Sequence, residues 1–530
     1  MKLLTLSSIS CFSFVCRVVS ASDFLDWFPI DHDNFLEIID NAKPVAVDGK
    51  IPSYIQGNLV RLGPSVAHTP KRNFTSYIDA LGRVTDWTLD GTSNKAEFKS
   101  SIIKSNLWNA SLDKNGELSD FARHITLEKT NPGTWTGLLS IQNMDNTDVM
   151  VYQFDGDTSY TTVTDFYLMN SIDQKSLRTL GNTPVTGDVP EDATFSGSHA
   201  GEWQDPKTGE RLLVNWRGKK TAGGTTLYVY TMGSDRVQKT VGSIDLKFLP
   251  YSIHSIVSVG NYAVVTVGAI SLNFLETGVD LCLSCSTSDN MGKDPAQIYV
   301  FSLVDEKEPV KTVAVDDSFF MFHHVNAMLK SETVIRVDYC AYSKSDGFLK
   351  PHVLGDMNNL IDEKTRDTMP MGCDMFKSVE FDFAKGEVLD NTNLPLKDQE
   401  GNSYNFELPA IHPKFRGKDY CIIYAQSYHV LGSSRLENTG LLKINRCKSD
   451  SNGANVEVWH EPNVYVGEPI FVPDPQGTAE DDGSLLVMSF QDGASKLLIL
   501  NAKTMEVDAR IEAPFPLMFE FHGDFFANGA

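Results

Sequence analysis

The sequence predicts an all-β protein, on three observations: short runs rich in β-branched and aromatic residues recur along the chain, turn residues punctuate them, and long helical periodicity is nearly absent. The runs are RLLVNW (211–216), TTLYVYTM (225–232), NYAVVTVGAI (261–270), QIYVFSLV (297–304), TVIRVDY (333–339), CIIYAQSY (421–428), SLLVMSFQ (484–491) and KLLILN (496–501). Gly, Asp, Asn or Lys, residue types depleted from strand interiors, mark many of their boundaries, as Gly224 and Gly233 do for TTLYVYTM and Gly483 and Asp492 for SLLVMSFQ. DPKTGE (205–210) and DGAS (492–495) carry the turn chemistry that joins neighbouring runs into hairpins. Without an obvious linker, the economical all-β architectures are several sandwiches in a row or one large propeller. No strict repeat of the WD kind is visible, which weighs against the propeller until the histidines are considered.

With 530 residues, 41% of them hydrophobic, the chain can bury a large core. Its formal net charge of −23 argues against nucleic acid and against electrostatic docking on anionic lipid, because both reward Lys/Arg patches. An apolar or neutral ligand is easier to accommodate. The chain also lacks a nucleophile elbow, a P-loop and a dinucleotide fingerprint.

Residues 1–21 open with Met-Lys, run through the apolar stretch LLTLSSISCFSFVC and end in the small residues Ser20 and Ala21, the pattern of a secretory signal peptide. Arg17 falls late in that pattern, so an uncleaved membrane anchor is the alternative. The acidic stretch that follows argues against an organelle transit peptide. The expectation is a secreted or ER-luminal protein whose residues 22–530 form one domain. Six cysteines remain after cleavage, Cys282, Cys285, Cys340, Cys373, Cys421 and Cys447, enough for up to three disulfides of unassigned pairing. Cys282 and Cys285 form a lone CxxC, which fits a local disulfide or buried thiols better than half a zinc site, since no second pair has matching spacing. Asn73 and Asn109 lie in glycosylation sequons.

Four histidines share apolar or small neighbours: His199 in FSGSHAGEW, His254 in PYSIHSIVSV, His323 in FFMFHHVNAM and His522 in MFEFHGDFF. Their intervals are 55, 69 and 199 residues. If a blade takes roughly 70 residues, these approximate one, one and three blades of a seven-bladed propeller. Equivalent positions on different blades converge on the axis, and neutral imidazoles gathered there leave lone pairs unsatisfied unless a metal takes them. Imidazole suits iron, copper, zinc and nickel alike. Glu407 and Glu468, in apolar surroundings, are candidates to accept the second ring N–H of such ligands, although each also reads as a surface carboxylate at a strand end.

These residues resemble the carotenoid cleavage oxygenase family, which includes the retinoid isomerohydrolase of the vertebrate eye. IPSYIQGNLVRLGPS (51–65) resembles the family's opening strand, and SHAGEWQDPKTGE (198–210), PYSIHSIVSVGNYAVV (250–265) and FHHVNA (322–327) resemble three metal-ligand segments. EPIFVPDPQGTAEDDGSLLVMSF, LLILNAKTMEV and FHGDFF resemble its C-terminal signature in order and spacing. The resemblance implies a seven-bladed β-propeller, with short helices and loops capping an axial site that holds one Fe(2+) through His199, His254, His323 and His522. In FHHVNA it is the first histidine that matches, so His324 is expected to face the other way, into packing. Two of the family's three supporting glutamates match as Glu407 and Glu468. Where relatives carry E-T-N-F, this chain reads VTDF, with Val163 in the glutamate's place, so His199 or His254 is expected to lack its acceptor. The family's FDG turn is altered to Ile78-Asp79-Ala80-Leu81-Gly82.

The activity so implied is insertion of both atoms of molecular oxygen across one conjugated double bond of a carotenoid or apocarotenoid, giving carbonyl products. Alternatives within the same fold are a secreted polyene- or retinoid-binding protein with weak or no catalysis, favoured by Val163 and by an oxidising, iron-poor compartment, and a retinoid isomerohydrolase acting on a retinyl ester. NPGTWTGLL (131–139) and FLETGVDLCL (274–283) are candidates for peripheral membrane contact, and FFMF (319–322) for tunnel lining or core.

Overall fold

The alternating and doubly apolar runs of the sequence all become strands. RLLVNW extends to Arg211–Thr221, TTLYVYTM to Gly224–Met232, TVIRVDY to Val334–Tyr342 and SLLVMSFQ to Gly483–Gln491. DGAS closes a two-residue hairpin: Gln491 pairs Ala494, and Asp492 and Gly493 between them adopt φ of 51° and 78°, the left-handed pair that matches the twist of the flanking strands. The computed structural model describes residues 36–71, 80–120, 145–222, 224–250, 253–272, 287–289, 294–344, 372–428, 439–448, 453 and 455–528.

The strands form seven blades around one axis, a seven-bladed β-propeller, antiparallel except for the outer strand Thr186–Gly187, which runs parallel to Val237–Leu246, with a small three-stranded sheet (Leu249–Pro250, Ile270–Leu272, Thr287–Asp289) beside them. The axial strands of blades II to VII are Met150–Tyr152, the interrupted pair Ala193–Ser196 and Gly201–Gln204, then Val257–Val259, Phe320–Leu329, Glu407–Ala410 and Tyr465–Pro473. Blade I takes its axial strand, Gly523–Ala527, from the end of the chain and pairs it with Gln56–Val66 from near the beginning. Val47–Gly49 returns the exchange by adding an outer strand to Val507–Glu512 of blade VII. The two ends of the chain therefore close the ring by backbone hydrogen bonds.

Each junction between adjacent blades holds one apolar cluster. Between blades IV and V, for example, Val264, Ile298 and Val300 meet Ile335, Val337 and Phe381, all buried. Each such side chain contributes about 1.5–3 kcal/mol by burial, so the ring rests on many equivalent junctions and not on one centre. The axis is left free for polar groups.

Cys421 and Cys447 flank the hairpin of Ile422–Ser427 and Gly440–Asn445 and are joined by a disulfide, while Cys340 and Cys373 are free and buried. Asn109 is exposed on the short helix Asn106–Ala110, capped by Ser105. The 1–21 segment, Asn73, Ile78, Asp79, the CxxC of Cys282 and Cys285, and stretches 131–139 and 274–283 lie outside the described residues. Among the described residues no helix is long and apolar enough to cross a membrane.

Candidate metal centre

Six consecutive blades, III to VII and then I, each bring one side chain to the axis from the axial strand or the turn entering it: His199, His254, His323, Glu407, Glu468 and His522. Glu407 follows His323 by 84 residues and His522 follows Glu468 by 54. The long interval between the third and fourth histidines is thus two blades whose axial residue is a carboxylate.

Irregular strands aim these groups. In Phe320–Leu329 the register slips between Met321 and His324 and again between His324 and Asn326, and such bulges re-aim side chains. His323 turns to the axis, whereas the His324 ring packs against Tyr339, with Nδ1 2.5 Å from Ser255 Oγ and Nε2 3.5 Å from Thr266 Oγ1. Burial, and then the neighbouring His323, push the His324 pKa down to about 3, so it is a neutral packing residue. Asn326 explains the remaining polar letter of FHHVNA: its amide donates to the Phe415 and Lys418 carbonyls and accepts from Gly417 N, tying blade V to the loop of blade VI. Register slips also flank Glu468 and follow Glu407, where Leu408 takes a φ of 53° and donates its N–H to the Glu407 carboxylate at 2.9 Å.

His199 and His254 are held by backbone. His199 N donates to His254 O at 2.9 Å and Ile256 N donates to His199 O at 3.0 Å. Gly197 permits this approach, since a Cβ there would stand 2.6 Å from Ile253 O and 2.7 Å from Trp216 Nε1. Tyr152 grips the same turn, its hydroxyl donating to Ser198 O and accepting from Ala200 N.

The rings point their Nε2 atoms inward. His254 Nε2 and His323 Nε2 each lie 3.4 Å from His522 Nε2, and donor atoms of His199, His323 and His522 lie within 4.8 Å of one another. The outward Nδ1 atoms meet carboxylates: Glu407 Oε2 at 2.6 Å from His323, Glu468 Oε1 at 2.7 Å from His522, and both oxygens of Asp165 at 3.1 Å from His254. A carboxylate acceptor holds the ring proton on Nδ1 and leaves the Nε2 lone pair facing the axis. Burial, and then the neighbouring rings, hold His199 and His522 well below the usual imidazole pKa. His199 Nε2 is buried without a hydrogen-bond partner among the described residues. Proton-free lone pairs crowded in this way are costly unless a cation fills the space. The spacing fits one: nitrogens at ~2.1 Å from a common ion stand roughly 3.0–3.4 Å apart for angles from 90° to tetrahedral.

Each carboxylate is itself held. Glu407 accepts from Tyr342 OH at 2.5 Å on its second oxygen; burial raises its pKa, but the facing His323 and the hydrogen bonds overcome this and bring it to about 2. Glu468 accepts from Arg61 Nη1 at 2.6 Å, although here burial outweighs the guanidinium and the pKa is raised. Asp165 Oδ1 accepts from Ser198 N at 3.0 Å and Ser198 Oγ at 2.8 Å; against burial, His254 and these donors lower its pKa.

Asp165 narrows one expectation, that His199 or His254 lacks an acceptor, to His199. Val163 does lie in an apolar cluster with Phe154, Met169 and Leu213 and offers no acceptor, but His254 finds one two residues further on. The strand Ser159–Val163 ends at the valine and the chain bends at Asp165, which carries its carboxylate to His254, so the aspartate of VTDF was the available signal. Among the described residues, it is the His199 ring that no carboxylate reaches.

The Retinal pigment epithelial membrane protein family matches residues 34–527. The chain belongs to the carotenoid cleavage oxygenase family. It is 25% identical to mouse beta,beta-carotene 15,15'-dioxygenase, over 90% of this chain and 88% of that protein. To the mitochondrial carotenoid-cleaving dioxygenase of Macaca fascicularis it is 24% identical, over 90% of each chain. Among solved structures, a variant of Synechocystis apocarotenoid oxygenase superposes with a TM-score of 0.75 at 21% identity, covering 96% of this chain and 99% of that one. The cobalt-substituted form of that oxygenase gives 0.74 at 20% identity, over the same shares of the two chains. In this member of the family FFMF divides: Phe319, Phe320 and Met321 are core, whereas half-buried Phe322 stacks on the His254 ring, centroids 3.9 Å apart.

Proposed function

We propose that the protein is an iron(II)-dependent dioxygenase that cleaves one conjugated double bond of a carotenoid or apocarotenoid into two carbonyl products. The observation that carries the reading is the convergence of histidine nitrogens from blades III, IV, V and I, three of the rings backed by carboxylates, in a chain whose relatives are named carotenoid dioxygenases. His199, His254, His323 and His522 would hold the iron, which supplies open coordination positions for oxygen and the electrons that activate it. The protein's own groups set up the rest. Glu407, Glu468 and Asp165 keep the ring protons on Nδ1, and together with Arg61 they match the charge of a divalent cation. Phe322 offers an aromatic face beside His254 against which a flat polyene can stack. The reaction needs no side-chain nucleophile.

Asp165 gives His254 the acceptor that Val163 does not offer, which weakens one of the two grounds for a polyene-binding protein without catalysis, the other being an oxidising, iron-poor compartment. An isomerohydrolase would use the same histidines and is told apart by product. Incubation of iron-loaded protein with β-carotene or an apocarotenal under labelled oxygen separates the readings. Two carbonyl products, each carrying label, support the dioxygenase; an isomerised retinol formed from a retinyl ester without oxygen uptake refutes it.

The same proposal places the protein in the secretory pathway, either free or tethered by an uncleaved N-terminal segment. The Cys421–Cys447 disulfide, favoured in oxidising compartments, supports this. Peripheral contact with a membrane would deliver so apolar a substrate. Recovery of the expressed protein in the cytosol with both thiols reduced would overturn the placement.

A further inference from the structure

Arg61 lies on Gln56–Val66, the strand that pairs with the final axial strand, and is directly opposite Gly523, the residue after His522. It is 1% exposed, among the most deeply buried cations of the described residues. Its guanidinium reaches two parts of the site at once. Nη1 donates to Glu468 Oε2 at 2.6 Å, and the other oxygen of that carboxylate accepts from His522 Nδ1 at 2.7 Å. Nη2 points at the carbonyls of Glu520 and Phe521, the two residues before His522, at 3.5 and 3.4 Å, and Nε stands 3.9 Å from the Glu520 carboxylate. One planar group thus spans the carboxylate of blade VII and the ligand-bearing segment of blade I. Gly523 makes room for it, since a Cβ there would lie 2.7 Å from Arg61 Cδ and 2.2 Å from Val60 O.

On the reading that these histidines bind a metal, we propose that Arg61 is a positioning residue of the centre: it fixes Glu468 relative to His522 and so sets the direction of the His522 Nε2 lone pair. The planar fork suits this role because separate donors address the carboxylate and the carbonyls. A lysine would place its charge at one point and satisfy only one of the two.

The test uses cobalt(II) as the probe, titrated anaerobically into metal-free full-length protein, with affinity and the visible ligand-field spectrum as readouts. Arg61→Gln is expected to weaken binding about tenfold to hundredfold, the range for a lost outer partner, and to change the band shape. Arg61→Lys is expected to fall between Gln and wild type, and it carries the test if the Gln variant does not fold. Lys99→Met is the control for burial alone: Lys99 pairs with Asp86 at 2.8 Å in the same sheet and touches none of the axial groups, so it should lower thermal stability and leave affinity and spectrum unchanged. Wild-type affinity and spectrum in a folded Arg61 variant refute the role of Arg61 alone. Failure of the wild-type protein to take up cobalt refutes the metal-centre reading and this proposal with it.

Discussion

Removing the Asp165 carboxylate tests the site where this chain departs from its family. Asp165 contacts the His254 Nδ1 with both oxygens at 3.1 Å and also takes two hydrogen bonds from Ser198, next to His199. Asp165→Ala should therefore loosen His254 and the turn that carries His199. Loss of such a partner costs tenfold to hundredfold in metal affinity, or about 1.4–2.7 kcal/mol. The effect belongs at the lower end of that range, because the Asp165 side chain is 34% exposed, against 3% for Glu407 and 11% for Glu468, and water can replace part of what is lost. Asp165→Asn keeps an acceptor and loses the charge, so it should cost roughly half as much in free energy. The assay is anaerobic ferrous titration against a chromogenic chelator, with Glu407→Ala as the severe reference. Wild-type affinity in Asp165→Ala, beside a large loss in Glu407→Ala, would refute the assignment of Asp165 as the third supporting carboxylate.

The adjacent histidines should separate cleanly. His323→Ala is expected to abolish metal retention and turnover, whereas His324→Ala retains metal and loses about 2–4 kcal/mol of stability to a cavity and to the lost ring partner of the Ser255 hydroxyl, which keeps only its bond from the residue 324 backbone, as read by metal analysis and denaturation of both variants. His324 should also leave a pH signature: its folded pKa of about 3 lies below the ordinary 6.5, so the unfolded chain binds a proton that the folded chain refuses. Stability should fall as the pH drops from about 6.5 towards 3, by at most ~1.4 kcal/mol per unit, and His324→Gln should flatten that slope in pH-dependent melting. Replacing both Cys421 and Cys447 by Ser should cost about 3–4 kcal/mol through the reopened loop spanning 26 residues, measured by chemical denaturation with and without reductant.

Much of the propeller was legible because its blades repeat in composition if not in residues. Runs such as TTLYVYTM and SLLVMSFQ can pack only as strands, and every one of the eight became one. The repeat itself was hidden because blade lengths differ: the axial residues stand 84 apart at one blade and 54 at another, which defeats any fixed period. Histidines 199, 254, 323 and 522 could be singled out because an imidazole in an apolar segment is conspicuous. Glu407 and Glu468 were less so, since a carboxylate at a strand end is commonplace until the ring of blades shows that both fall on the axis. Asp165 escaped because the family pattern puts a carboxylate at position 163, where the strand Ser159–Val163 ends, and only the bend that follows brings a carboxylate to His254 from two residues later. Arg61 looked like part of an opening strand; only the closure of the ring by Gly523–Ala527 sets it beside Glu468.

The central claim is that the axial histidines hold a single ferrous ion. Metal analysis after anaerobic loading and desalting tests it most directly, on the wild-type protein and on single alanine variants of His199, His254, His323 and His522. The account predicts about one iron per chain in the wild type and loss of retained iron in each variant, with melting still cooperative. A folded wild-type protein that retains no iron, or iron that survives each of the four substitutions, would contradict it.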